Sequence, residues 1–371
     1  MRVHTQTLGT LLCMVLSTTC WLSHKAFVRA EFDLIFSYQD SNHFSSAQLQ
    51  ILDDALAQTE IMWETVITGY QPGISVTTVP IKVHRVFGGL ASANHTGTVL
   101  QGGYRVATSG FININVHEID RFASGVDPGG NFNTGLNYID ELLAHETGHV
   151  LGIGTLWTLN GVYSNTSWTK FEPLGKYSGQ YGLQTYQQEF DQHASYVPVE
   201  LAGSTGTANS HWDQIMRSST QEGDPDAPWP RTPLVGVTDS LGRDRGLELM
   251  TGAIDPDFSE PFISLTTIES MRDMGFTVTV PEDFNGDSQV DDIDLGIWQS
   301  GFGSSGLQID SIIYGDSQRD RDIDGADFLT WQRNLSFSNG ATVTVPEPAS
   351  LGLLVSVFLI VVGYARPKQT A

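Results

Sequence analysis

The residues best suited to chemistry are two histidines four apart, with a glutamate directly after the first: His145-Glu146-Thr-Gly-His149. On a helix, positions i and i+4 lie one above the other on a single face. Both imidazoles can then reach one tetrahedral zinc, and Glu146 can hold a water beside it. The same five residues arise by chance in roughly one chain in a hundred of this length, as part of an ordinary core helix. The rest of the sequence has to separate the two readings.

The flanking residues can build the helix that this spacing needs. Ile139, Leu143 and Val150 recur at helical spacing on another face, Asn137 can cap the start, and Gly152 can stop the end. Upstream, residues 32–38 alternate as a strand, with Phe32, Leu34, Phe36 and Tyr38 on one side. Ser45 or Ser46 caps an expected helix to about 68. Strands are expected at 74–79 and 81–87, then a loop at 88–103 rich in Gly, Ser, Thr and Asn. Residues 111–116 alternate strictly, and a loop at 127–135 leads into the histidine helix. Downstream, helices are expected near 185–192, at 209–216 and at 264–274, with 276–280 extended. This order reads as α/β or α+β.

The segment His145-Glu146-x-x-His149-x-x-Gly152 resembles the opening of a metzincin zinc site. Metzincins carry a third histidine three residues after the glycine, where this chain has Thr155. The leishmanolysin-like branch delays that histidine by an insertion and follows it with tryptophan, as in Ser210-His211-Trp212. Glu248-Leu-Met250-Thr-Gly252 resembles the Met-turn of the same branch, and 264–276 resembles its last helix and strand. The resemblance covers roughly residues 31–280. It implies an α+β fold, with a mixed sheet and an active-site helix. It also implies zinc held by His145, His149 and His211, and Met250 packed beneath the metal without binding it. Glu146 would be the general base of an endopeptidase acting on protein or peptide substrates. His193 is the other downstream candidate for the third ligand. The strand at 111–116 is expected to be the edge that pairs with substrate, as metzincin edges do. Eukaryotic members are rich in disulfides and use a propeptide cysteine for latency. Both cysteines here, Cys13 and Cys20, fall before residue 31, so neither feature is expected.

From about residue 281 the composition changes. Residues 281–340 carry 11 Asp and 1 Glu against 3 Arg. A repeat appears at an offset of 33 residues. In the first copy, Asp283, Asn285, Asp287, Gln289, Asp291 and Asp294 stand at loop positions 1, 3, 5, 7, 9 and 12. In the second, Asp316, Gln318, Asp320, Asp322, Asp324 and Asp327 do the same. Oxygen ligands at those positions have calcium-loop spacing. Trp298 and Trp331 repeat as well, which a solvated acidic linker would not require. The pattern resembles a dockerin, a small helical module of two calcium loops, and implies a cohesin-like partner. Ser288 and Arg321 occupy the loop position that favours glycine, at a cost of about 1–2 kcal/mol if the turn is left-handed. Gln318 is a poor ligand, so the second loop is expected to be the weaker one.

The chain of 371 residues has a net charge of −23, which leaves no basic footprint for nucleic acid. Residues 1–30 hold Arg2, an apolar run and no acid, as an export signal peptide does. Val345-Pro346-Glu347-Pro348 precedes an uncharged run at 349–365, followed by Arg366 and Lys368. That tail, within 341–371, resembles bacterial Pro-Glu-Pro C-terminal sorting signals and implies a membrane-sorting segment. The mature chain is expected outside the cytoplasm, at the envelope or beyond. Two other functions fit the sequence. One is an inactive or structural zinc-binding surface protein acting through its dockerin-like part. The other is a zinc hydrolase of a non-peptide bond.

Overall fold

The computed structural model describes residues 32–125, 137–164, 175–201, 206–214, 237–243, 245–252, 261–287, 289–307 and 309–335. The expected signal peptide at 1–30, the loop at 127–135 and the sorting tail at 341–371 lie outside the described residues. Among the described residues, no helix is long and apolar enough to cross a membrane.

The architecture is mixed α+β. Strand β1 (Asp33–Tyr38) leads to α1 (Ser46–Val66), then β2 (Ile67–Tyr70), β3 (Thr78–Val86), β4 (Ala91–Gln101) and β5 (Tyr104–Asn115). The main sheet has the order β1-β3-β5-β4. Its first two pairings are parallel, and β4 runs antiparallel to β5. Helix α1 starts in a capping box, in which Ser45 Oγ accepts from Gln48 N and Gln48 Oε1 accepts from Ser45 N. After α2 (Ile119–Ala123) comes α3 (Ile139–Leu151), the histidine helix. Ile139, Leu143 and Val150 are fully buried in the main core. Trp63 Nε1 of α1 donates to Ala144 O of α3 at 3.0 Å, tying the two helices together. Val150 packs where β5 has Gly110; a Cβ there would sit 2.3 Å from Val150 Cγ1. That close approach sets α3 on the sheet.

Three expectations change here. The loop expected at 88–103 contains β4, an edge strand. Its residues are small and polar and mostly half-exposed, so no apolar alternation marks it. Because β4 takes the edge, the strand at 111–116 lies inside the sheet between β3 and β4 and is not the free edge. Of the two strands expected at 74–79 and 81–87, residues 74–77 are not strand, and 78–86 form the single strand β3. β3 runs through Pro80, which precedes the pairing with β5 at Ile81, so its missing N–H costs no bond on that side. β4 itself is broken by an irregularity around Gly97, where the register with β5 shifts.

The second half contains β6 (Tyr163–Ser164), β7 (Gly175–Tyr177), α4 (Gln180–Glu189), β8 (Val197–Val199), α5 (Leu265–Ser270) and β9 (Phe276–Val278). Strands β6, β7 and β8 form a small antiparallel sheet. Helix α4 caps the start of α5, and the turn after α5 caps the start of α4. Asp273 accepts from Tyr181 N and Gly182 N at the start of α4, and Glu189 accepts from Leu265 N and Thr266 N at the start of α5. This places α4 at 180–189, earlier than the expected 185–192. Strand β9 pairs with β2, and Phe276 stacks on Tyr70 at 4.8 Å. The helix expected at 209–216 is absent over its described part. Residues 206–210 form turns, and Trp212 bridges Val199 and Thr251 in extended pairing.

The acidic repeat folds as two loops with helices α6 (Asp292–Gly301) and α7 (Gly325–Asn334). Each helix begins in a capping box, Asp291 with Asp294 and Asp324 with Asp327. The repeat is reciprocal in space. Trp298 Nε1 donates to Asp324 O at 2.8 Å, and Trp331 Nε1 donates to Asp291 O at 3.2 Å. Phe284, Val290, Ile312 and Trp331 form its own small core.

Candidate metal centre

Helix α3 carries His145 and His149 one turn apart, and His211 reaches them from the turn before Trp212. The three Nε2 atoms lie 2.9–3.1 Å from one another. Zn–N bonds of about 2.0–2.1 Å at tetrahedral angles give separations of about 3.3 Å, close to these. The other ring nitrogens fix the tautomers. His145 Nδ1 meets Leu249 O at 2.6 Å, His149 Nδ1 meets Ile153 O at 2.9 Å, and His211 Nδ1 meets Thr207 O at 2.8 Å. A carbonyl only accepts, so each Nδ1 carries the proton and donates. Three Nε2 lone pairs therefore converge with no donor among them, an arrangement that a cation satisfies. Burial keeps all three rings neutral. It pushes His145 down, His149 well down with help from the other two rings, and His211 down to about 3. The triad can hold a metal.

The surroundings hold the third ligand in place. His211 O accepts from Glu200 N, and Trp212 N donates to Met250 O, each at 3.0 Å. Trp212 is fully buried, stacks on Trp157 at 4.5 Å and donates through Nε1 to Thr267 Oγ1. Gly154 permits the approach of the turn. Its φ is +73°, and a Cβ there would lie 2.2 Å from Ser210 O. Met250 is fully buried under α3, where a Cβ at Gly148 would meet its Sδ at 2.8 Å. The turn around Met250 hangs on the Glu248 carboxylate, which accepts from Met250 N, Ser264 N, Ser264 Oγ and Thr267 Oγ1. Four donors offset the cost of burying that charge. Thr155, which stands where a metzincin has histidine, donates Oγ1 to His149 O at 2.6 Å and caps the helix end instead.

A cleft of about 530 Å³ opens beside the triad. Glu146 lines it, buried to 5% exposure, and its Oε2 has no hydrogen-bond partner among the described residues. Burial pushes its carboxyl up to about 8; a dication beside it would act the other way. Residues 89–94, leading into and along the edge strand β4, form another wall.

The structure therefore brings together His145, His149, His211, Glu146 and Met250. It leaves His193 apart, exposed in a turn where its N–H donates to Asp191 Oδ1. Among the described residues, the carboxylates of neither acidic loop converge in threes as the histidines do. Much of their capacity goes to their own backbone. Asp283 and Asp316 each accept from the N–H four residues on at 3.1 Å, and Asp294 and Asp327 each accept from the N–H three residues back at 2.8 Å. Sequence reasoning missed Glu141 of α3, which also lines the cleft and pairs with Arg321. Its one local signal is an arginine at a position that favours glycine. No protein-family model matches the chain, and a comparison with curated proteins finds no match.

Proposed function

We propose that the chain is an exported zinc endopeptidase of the leishmanolysin-like metzincin kind. The observation that carries this reading is the convergence of three Nε2 lone pairs beside the buried, unpartnered Glu146 Oε2. Bound there, zinc would lower the pKa of a water toward about 7 and polarise a peptide carbonyl. His145, His149 and His211 would hold it, and the three backbone carbonyls at Nδ1 fix the ring orientations. Glu146 takes the proton of the attacking water and returns it to the leaving amine. The open edge of β4 offers N–H and C=O groups to an extended substrate. Met250 supports α3 from below and binds nothing.

In the same reading, the acidic repeat is a dockerin-like pair of calcium loops with a cohesin-like partner. Export and retention at the envelope rest on 1–30 and 341–371. Denatured casein is the first substrate to try. We expect cleavage that a chelator abolishes and added zinc restores. A zinc-loaded chain that leaves casein and peptide libraries intact would overturn the endopeptidase reading.

A further inference from the structure

Arg321 stands at the sixth position of the second acidic loop with φ +66°, and Arg319 at the fourth has φ +57°. Left-handed backbone disfavours both side chains. What Arg321 touches accounts for its presence. Its guanidinium leaves the loop, and Nη1 lies 2.6 Å from Glu141 Oε1 of α3. The two side chains are 6% and 5% exposed, so the pair is buried. The backbone N–H of Arg321 donates to Asp316 Oδ2 at 2.7 Å, at the first position of the same loop. Asp316 is itself fully buried and also accepts from Ser311 Oγ. At the other end, Glu141 stands one helical turn before His145 on the same face and lines the cleft with His145 and Glu146. A continuous chain of polar contacts thus joins the acidic loop to the metal-bearing face of α3. Neighbouring contacts reinforce it. Ile309, between the two loops, belongs to the main core, and Arg243 Nη1 donates to Gln318 O.

We propose that Arg321 is a positioning residue for the metal centre. Acting through Glu141, it fixes the first turns of α3, and the second acidic loop is an internal strut of the site. This rests on the reading that the histidine triad holds a metal. The physical reason is that a buried carboxylate deprived of its cation has to move or find a proton. Burial pushes the Glu141 carboxyl well up, and Arg321 pulls it back. Without Arg321, Glu141 loses the contact that holds it, and a shift of its side chain toward a new partner would carry the first turns of α3, and His145 with them.

The test is the rate at which the zinc-loaded full chain releases metal to a colorimetric chelator. Arg321→Gly removes the guanidinium and also relieves the left-handed strain, so a role confined to the loop predicts no faster release. The strut predicts release about tenfold faster, the lower end of the effect of groups that orient metal ligands. Adding Glu141→Gln to Arg321→Gly removes the stranded carboxylate and should bring release back to within about threefold of wild type. Arg321→Lys is the milder second variant, expected between wild type and Arg321→Gly. Wild-type release from both Arg321 variants, or a double variant that releases metal as fast as Arg321→Gly alone, would overturn the proposal. A wild-type chain that holds no metal would sink the metal reading and this one together. A metal-holding wild type with unaltered variants would sink this one alone.

Discussion

The chain gathers candidate ligands in two places, and it does so by opposite means. The histidine centre draws residues 66 positions apart into contact, and it spends none of their Nε2 lone pairs on the protein. The acidic loops draw their oxygens from 12 consecutive positions each and commit much of their capacity to their own backbone. The first is preorganised by the whole fold and ready for a cation. In the second, a cation would have to share oxygens that already accept backbone hydrogen bonds, and the carboxylates would have to draw closer together. A site built from distance is rigid, and a site built locally is adjustable.

The largest effect should break the first side of this contrast. His211→Ala should lower bound zinc from about one per chain to near zero, with loss of casein cleavage, because a catalytic zinc takes three protein ligands. His193→Ala should keep both, and metal analysis beside the activity assay decides between them. Next, Glu146→Gln should keep the metal and lower turnover about 10²–10⁴-fold, as removal of a proton shuttle does. A variant that keeps wild-type turnover would remove Glu146 from the chemistry.

Met250→Ala should cost about 2–5 kcal/mol in a denaturant melt, as a buried large-to-small change does. It should weaken zinc retention without abolishing it. The smallest effect tests the other side. Millimolar calcium should stabilise the full chain by about 2–3 kcal/mol if one loop binds near ten micromolar. Asp283→Ala with Asp294→Ala should remove most of that response, and Asp316→Ala with Asp327→Ala less of it. A thermal melt that ignores calcium would leave the loops as hydrogen-bonded turns.

Much of the candidate centre was legible because its residues sit in short motifs in a fixed order. His145, Glu146 and His149 follow from helical spacing, and Ser210-His211-Trp212 and the turn at Met250 from resemblance. The fold was legible where side chains alternate or cap locally, as at β5, Ser45 and Gly152. It was not legible where the decisive partner is distant. The start of α4 depends on Asp273, 91–92 residues away, and nothing near Gln180 announces it. The apparent helix at 209–216 gave way over 209–214 because Trp212 finds its partners across the chain, at Val199, Met250 and Thr267. The edge strand β4 was hidden by composition, since half-exposed small polar residues read as loop.

The register shift in β4 limits what that edge can recruit. An open strand of 11 residues with no interruption is a template for the edge of a second chain, and so a nucleus for aggregation. The irregularity at Gly97 divides it, leaving 91–95 as the regular run against β5 beside the cleft. In the proposed function, a short extended substrate would add itself there. A long foreign strand would meet the irregularity at Gly97 and lose register there, so the edge is a poor template along its full length.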